Sequence, residues 1–140
     1  MMRTLLWLAA LPLILTTCSG CKDQNNLVPN VPVNITININ QPDFFNLTVV
    51  SGWVYVTGGS RGIIVYRKSV DEFVAIERHS SYQPADQCAV AVNADGVILQ
   101  DPCSASQWLI MDGSLVNGPA SAPLRTYQTS FTNPVLYIYN

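Results

Sequence analysis

The chain has 140 residues, the length of one domain, of which 49% are apolar and 11% charged. So small a charged share excludes a disordered tail or a charge-rich coiled coil. Seven Lys and Arg against nine Asp and Glu argue against a phosphate-driven nucleic-acid binder, and a single histidine excludes any site that needs two imidazoles from this chain.

Residues 1–17 read MMRTLLWLAALPLILTT, an early cation at Arg3 followed by a short apolar run. That is the pattern of a secretory signal, and the run is shorter than the roughly 18 residues that a bilayer span needs. Cys18 and Cys21 follow at once. A cysteine directly after a signal core resembles the bacterial lipobox, in which the thiol is acylated and becomes the mature first residue. Cys21 is the expected lipidation site, because small Ser19 and Gly20 precede it and Lys22 and Asp23 begin a polar stretch; Cys18 is the alternative. The expected organisation is therefore a lipoprotein signal peptide over residues 1–20, a tether over 21–32 and one domain over 33–140. Loss of Arg3 leaves six cations against nine anions, a net charge of −3. The location implied is the bacterial cell envelope, with the membrane as a partner through the lipid.

The domain opens on N-I-T-I-N-I-N at 34–40, strict alternation that places Ile35, Ile37 and Ile39 on one face of a strand. Further β-rich runs are expected at 47–50, 53–57, 62–68, 73–77, 89–93, 97–100, 107–111, 124–128 and 135–139. Turn signals separate them, among them Gly58-Gly59, 69–72, Asp95-Gly96, Asp112-Gly113 and 117–119. Asn93-Ala94-Asp95-Gly96 between two alternating runs reads as a hairpin. No segment carries a helical apolar stripe over three turns. The expected fold class is all-β, built of small antiparallel sheets.

Cys88 and Cys103 stand 15 positions apart on either side of that hairpin, whose closure brings them within disulfide reach. An oxidising envelope favours the bonded state; two buried free thiols are the alternative. Closing a loop of that size contributes about 3 kcal/mol in the chain-entropy model. Other chemistry is thin. Gly58-Gly59-Ser60-Arg61-Gly62 lacks the lysine and following helix of a phosphate loop and reads as a strand connection. No hydrolytic triad is suggested near His79, which is expected at a partly exposed strand end. No enzyme is expected.

Glu77–Tyr82 (ERHSSY), Gln87-Cys88-Ala89-Val90, the run from Asp101 to Trp108 (DPCSASQW) and Gly118-Pro119-Ala120 with Pro123-Leu124 and Tyr127 resemble the cluster-binding segment of Rieske domains. The likeness covers about residues 62–139 and is nearest to small bacterial Rieske-like lipoproteins. The resemblance implies a Rieske-like domain with a cluster-binding-type subdomain. In that family Cys-X-His and a later Cys-X-X-His hold a [2Fe-2S] cluster, two sulfurs on one iron and two imidazoles on the other. Here those four positions fall on Ser80, Tyr82, Asp101 and Ser104, which cannot supply that set. The extra cysteine of the second motif matches Cys103, and its disulfide partner in many members matches Cys88. Ala105 replaces the usual glycine, and Ser106 is kept.

The resemblance thus implies a Rieske-like lipoprotein with degenerate ligands and no cofactor, serving as a structural module or binding an envelope protein. A [2Fe-2S] electron-transfer protein is the alternative, and a small-ligand binder using a vacated pocket rimmed by Tyr82, Asp101 and Ser104 is a second. Acylation has a direct readout. Intact-mass analysis of the envelope fraction should show a diacyl- or triacylglyceryl adduct on Cys21; soluble protein with an unmodified terminus would refute it.

Overall fold

The computed structural model describes residues 27–140, so the segment expected as a signal, Cys18 and Cys21 lie outside the described residues. Ten strands form two antiparallel sheets. In chain order they are β1 (Asn34–Asn38), β2 (Trp53–Val56), β3 (Ile63–Arg67), β4 (Phe73–Glu77), β5 (Ala91–Val92), β6 (Ile98–Gln100), β7 (Gln107–Leu109), β8 (Leu115–Asn117), β9 (Thr126–Thr132) and β10 (Val135–Tyr139). The larger sheet runs β1-β10-β9-β4-β3-β2 and the smaller β5-β6-β7-β8. The fold is all-β, as the turn spacing and alternation imply.

The strand β3 explains how the two sheets meet. Its sequence, Ile-Ile-Val-Tyr-Arg, is buried at all five positions. Ile63 and Val65 point into one core with Ile37, Leu47, Val54, Ala75, Leu136 and Ile138. Ile64 and Tyr66 point the other way, against Val90, Leu99, Trp108, Ile110 and Leu124. Successive side chains of a strand face opposite sides, so one uninterrupted apolar run serves two cores. The second core is what seats the small sheet on the large one.

Three expectations need correction. Residues 47–50 are not a strand; Pro42–Thr48 form a 3-10 helix. Proline suits the first turn of such a helix because its missing N–H is not needed there, and Leu47 supplies the buried anchor. Residues 115–117, outside every expected strand and overlapping the turn signal at 117–119, are the strand β8, with all three side chains exposed. The strand expected at 124–128 begins at Thr126 and extends to Thr132, because its first residues pair with β4 and its later ones with β10. The 3-10 helix is held from below by Arg67, only 9% exposed. Its Nη1 donates to the carbonyls of Leu47 and Thr48, both at 2.9 Å, and its Nε to that of Ser69 at 3.2 Å. The guanidinium lies 5.2 Å from the Phe73 ring centre and 5.7 Å from that of Phe131. Within the segment expected as a tether, the carbonyl of Val28 accepts from Arg125 and that of Val31 from Asn140.

The strand β4 ends on Glu77, fully buried. Its Oε1 accepts the N–H groups of Arg61 (3.0 Å) and His79 (2.8 Å); its Oε2 accepts Ser60 N–H (2.7 Å) and the Tyr127 hydroxyl (2.6 Å). All four partners are donors, so the group is held as a carboxylate. Burial first, and then the bond to Glu77, push the Tyr127 phenol far above its ordinary value. Tyr127 therefore stays a donor. The β2–β3 loop wraps this carboxylate closely. A Cβ on Gly59, at φ +61°, would come within 2.5 Å of Tyr127 Oη and nearer still to Glu77 Oε2.

Gly59→Ala should accordingly lower stability by about 2–4 kcal/mol, combining left-handed strain with overpacking. Gly96→Ala is the comparison, since Gly96 has a similar φ of +71° but its added Cβ would meet only Trp53 Nε1, at 3.9 Å; it should lose about 1 kcal/mol. Urea unfolding of both variants measures the difference, and equal losses would deny the close packing its role.

Candidate functional site

Three loops converge beside the small sheet. The first leaves β4 and is closed at its base by backbone bonds, Val90 N–H to Arg78 O at 2.7 Å and Ser80 N–H to Cys88 O at 2.9 Å, with His79 bridging Ala89 between them. Between these ends the chain makes a short 3-10 turn, Pro84–Asp86. The second loop joins β6 to β7 and is closed by Asp101 N–H to Ser106 O at 2.9 Å. Its register follows from β6 and β7, whose last pair is Gln100 with Gln107. The third, at 118–124, covers the second: a Cβ on Gly118 would stand 2.5 Å from Ser106 Cα.

The hairpin at 93–96 forms as its sequence implies. Asp95 Oδ1 accepts the N–H groups of Val97 (2.8 Å) and Ile98 (3.0 Å), which hold its carboxyl below the ordinary value. The hairpin carries Cys88 toward Cys103, and the two are joined in a disulfide, with Cα atoms 6.3 Å apart. The first two loops are thereby linked covalently.

Beneath that link, three of the four positions singled out by sequence meet in hydrogen bonds. Asp101 is fully buried. Its Oδ2 accepts Ser80 Oγ–H at 2.8 Å and Ser104 Oγ–H at 2.7 Å, and its Oδ1 accepts Cys103 N–H at 2.9 Å. Ser80 Oγ in turn accepts Tyr82 N–H at 3.1 Å. Ser106 Oγ lies 2.9 Å from Ser104 Oγ and accepts Ala120 N–H at 3.1 Å. A hydroxyl has one hydrogen; with that of Ser104 committed to Asp101, the Ser106 hydroxyl donates to Ser104. The chain of donors from Ala120 through Ser106 and Ser104 ends on the carboxylate. The fourth position, Tyr82, joins this network only through its backbone N–H; its side chain packs against the second core.

Ala105, where the resemblance expects glycine, has φ +60°. The left-handed loop geometry thus persists with a side chain that disfavours it by about 1 kcal/mol or more. His79 departs from expectation. It is 2% exposed, not partly exposed, because both ring nitrogens are used inside the protein. Nε2 donates to Pro84 O at 2.7 Å, which leaves Nδ1 to accept Ser60 Oγ–H at 2.8 Å. Sequence reasoning missed this pair and the Glu77–Tyr127 pair; the only signal was a glutamate closing the apolar run of β4.

No family model and no curated protein sequence matches the chain. Solved structures do share its fold. The plasma-membrane Rieske protein PetC3 of the cyanobacterium Synechocystis PCC 6803 superposes with a TM-score of 0.52 at 16% identity, over 61% of this chain and 84% of that one. A chain from the complex of reduced oxygenase and oxidized ferredoxin in carbazole 1,9a-dioxygenase gives 0.51 at 14% identity, over 79% and 94%. The protein is therefore a Rieske-like domain in fold, as its motifs imply.

A [2Fe-2S] cluster of the Rieske kind requires two thiolates and two imidazoles. The donors at the positions that the sequence resemblance assigns do not fit it. Ser80, Asp101 and Ser104 are bonded directly to one another, so no space for two irons and two sulfides lies between them. The Cys88 and Cys103 sulfurs come within 4.8 Å of an Asp101 oxygen, but they are spent on each other. The small-ligand alternative needed an open cavity at Tyr82, Asp101 and Ser104.

Asp101→Ala should lower stability by about 2–4 kcal/mol, because it leaves the buried Ser80 hydroxyl and Cys103 N–H without partners. Calorimetric unfolding reads the loss. A change under about 0.5 kcal/mol, the range of ordinary surface substitutions, would show that the loops hold themselves without the carboxylate.

Proposed function

We propose that this chain is a Rieske-like module that works without an iron–sulfur cluster, as a structural or protein-binding domain held to the bacterial envelope through a lipidated Cys21 or, alternatively, Cys18. The observation that carries the reading is the Asp101 network. Where relatives of this fold would need a soft anionic pair and two neutral imidazoles, this chain places one carboxylate bonded by two hydroxyls and a backbone N–H. Serine does not ionise near neutral pH, and tyrosine titrates only near pH 10. Redox transfer depends on a cofactor, so electron transfer has no carrier in this set of residues, and no enzymatic role is proposed.

A binding role has support on the small sheet. Val97, Met111, Leu115 and Val116 are all exposed apolar residues on or beside β6, β7 and β8, and exposed apolar surface suits a protein partner. A slightly acidic chain with few cations gives no reason to expect nucleic acid.

Protein made with an active iron–sulfur assembly system should be colourless and iron-free while showing a folded, β-rich circular dichroism spectrum. The complementary variant carries Ser80→Cys, Tyr82→His, Asp101→Cys, Ser104→His and Ala105→Gly. A Rieske-type visible spectrum in that variant, and none in the parent, is the expected result. A parent protein with two irons would restore electron transfer as the function.

A further inference from the structure

A different part of the molecule carries a binding site that the reading above does not use. The loop between β2 and β3, Gly58-Gly59-Ser60-Arg61-Gly62, and the start of the first loop at Arg78 line an open surface cavity of about 510 Å³, completed by Tyr55, Val56 and Thr57. That volume falls in the range of small-molecule sites, roughly 300–1,000 Å³. It shares no residue with the Asp101 network.

The lining holds two arginines and no acidic side chain, in a chain whose net charge is negative. Each guanidinium is fixed through one nitrogen. Arg61 Nε donates to Gln87 O at 2.7 Å, and Arg78 Nε to Val90 O at 2.9 Å. Arg78 also lies over the Tyr55 ring, 4.1 Å from its centre, and Tyr55 is fixed in turn because its hydroxyl accepts Val92 N–H at 3.0 Å. Among the described residues, no hydrogen bond engages the terminal nitrogens of either arginine. Arg78 is thus held by a carbonyl and a ring and Arg61, at the exposed rim, by one carbonyl, and the outer donors of both forks carry no hydrogen bond among the described residues. Such groups recognise oxyanions in two-pronged fashion, and their ordering cost is met before a ligand arrives.

Glu77 lies under the loop. It is fully buried and bonded by Ser60, Arg61, His79 and Tyr127, so it fixes the loop backbone and has no free oxygen for the arginines. The glycines keep the rim low: Gly58, Gly59 and Gly62 all have positive φ, and a Cβ on Gly62 would press on Arg78 Cδ at 3.4 Å.

From this geometry we infer that the Arg61–Arg78 cavity binds a small oxyanion carrying two negative charges, of the phosphate type. The test is an NMR titration of the full folded domain with inorganic phosphate, at a pH where it is a dianion, with acetate as the singly charged comparator. Saturable shifts centred on the loop at 58–62 and on Tyr55 and Arg78, with phosphate binding at least tenfold more tightly than acetate, are expected. Arg61→Gln should weaken phosphate binding about tenfold or more, whereas Lys68→Gln, whose residue lines another cavity, should leave it unchanged. Arg78→Lys keeps the charge but loses the fork, and should bind more weakly than the parent. Shifts scattered over the surface, equal affinity for acetate, or undiminished binding by Arg61→Gln would each overturn the assignment. The parent titration stands by itself should a variant fail to fold.

Discussion

The Asp101 carboxylate is the constraint on which the loop region depends. It is buried, and a buried charge is tolerated only where its oxygens are fully bonded. Ser80 comes from the first loop and Ser104 and Cys103 from the second, so satisfying one side chain fixes the relative position of both. The disulfide repeats that link covalently at the surface, where Cys103 is exposed. The third loop is then keyed to the second through Ala120 N–H on Ser106, and to the first loop and β7 through Ala122 O, which accepts from Ser81 Oγ and Trp108 Nε1.

Glu77 performs the corresponding task one strand away. Its four donors come from the β2–β3 loop, from His79 and from β9. His79 extends the arrangement, joining Ser60 on one side to Pro84 on the other. The two arginine-bearing segments around the 510 Å³ cavity are thus braced from beneath by one acid. The two carboxylates together tie the β2–β3 loop and the first and second loops in place through N–H and O–H donors.

The sequence exposes some of this and hides the rest for physical reasons. Strict alternation made β1 readable, since Ile37 and Ile39 face a core while their neighbours face outward. The β3 run was readable as a strand, but not as one buried on both faces, because period-2 reasoning assumes a wet side. Nothing in Leu115-Val116-Asn117 marks β8: all three residues are exposed, and an edge strand of that kind has no burial pattern to betray it. Ser80, Asp101 and Ser104 could be placed from motif positions, but not their mutual bonding, which depends on a fold that brings residues 21 apart together. His79 was misjudged because its partners, Ser60 and Pro84, become neighbours only in three dimensions.

Arg67 has a consequence that reaches beyond the segment it anchors. Its charge sits in the interior against the carbonyls of Leu47, Thr48 and Ser69 and two phenylalanine rings. Glu77 and Asp101 likewise answer to N–H and O–H dipoles. Dissolved ions weaken attraction between exposed opposite charges over a Debye length of about 8 Å at physiological ionic strength, but they cannot enter between a buried charge and the dipoles packed on it. The interior electrostatics of this domain are therefore far less sensitive to the ionic composition of its surroundings than ion pairs on its surface would be.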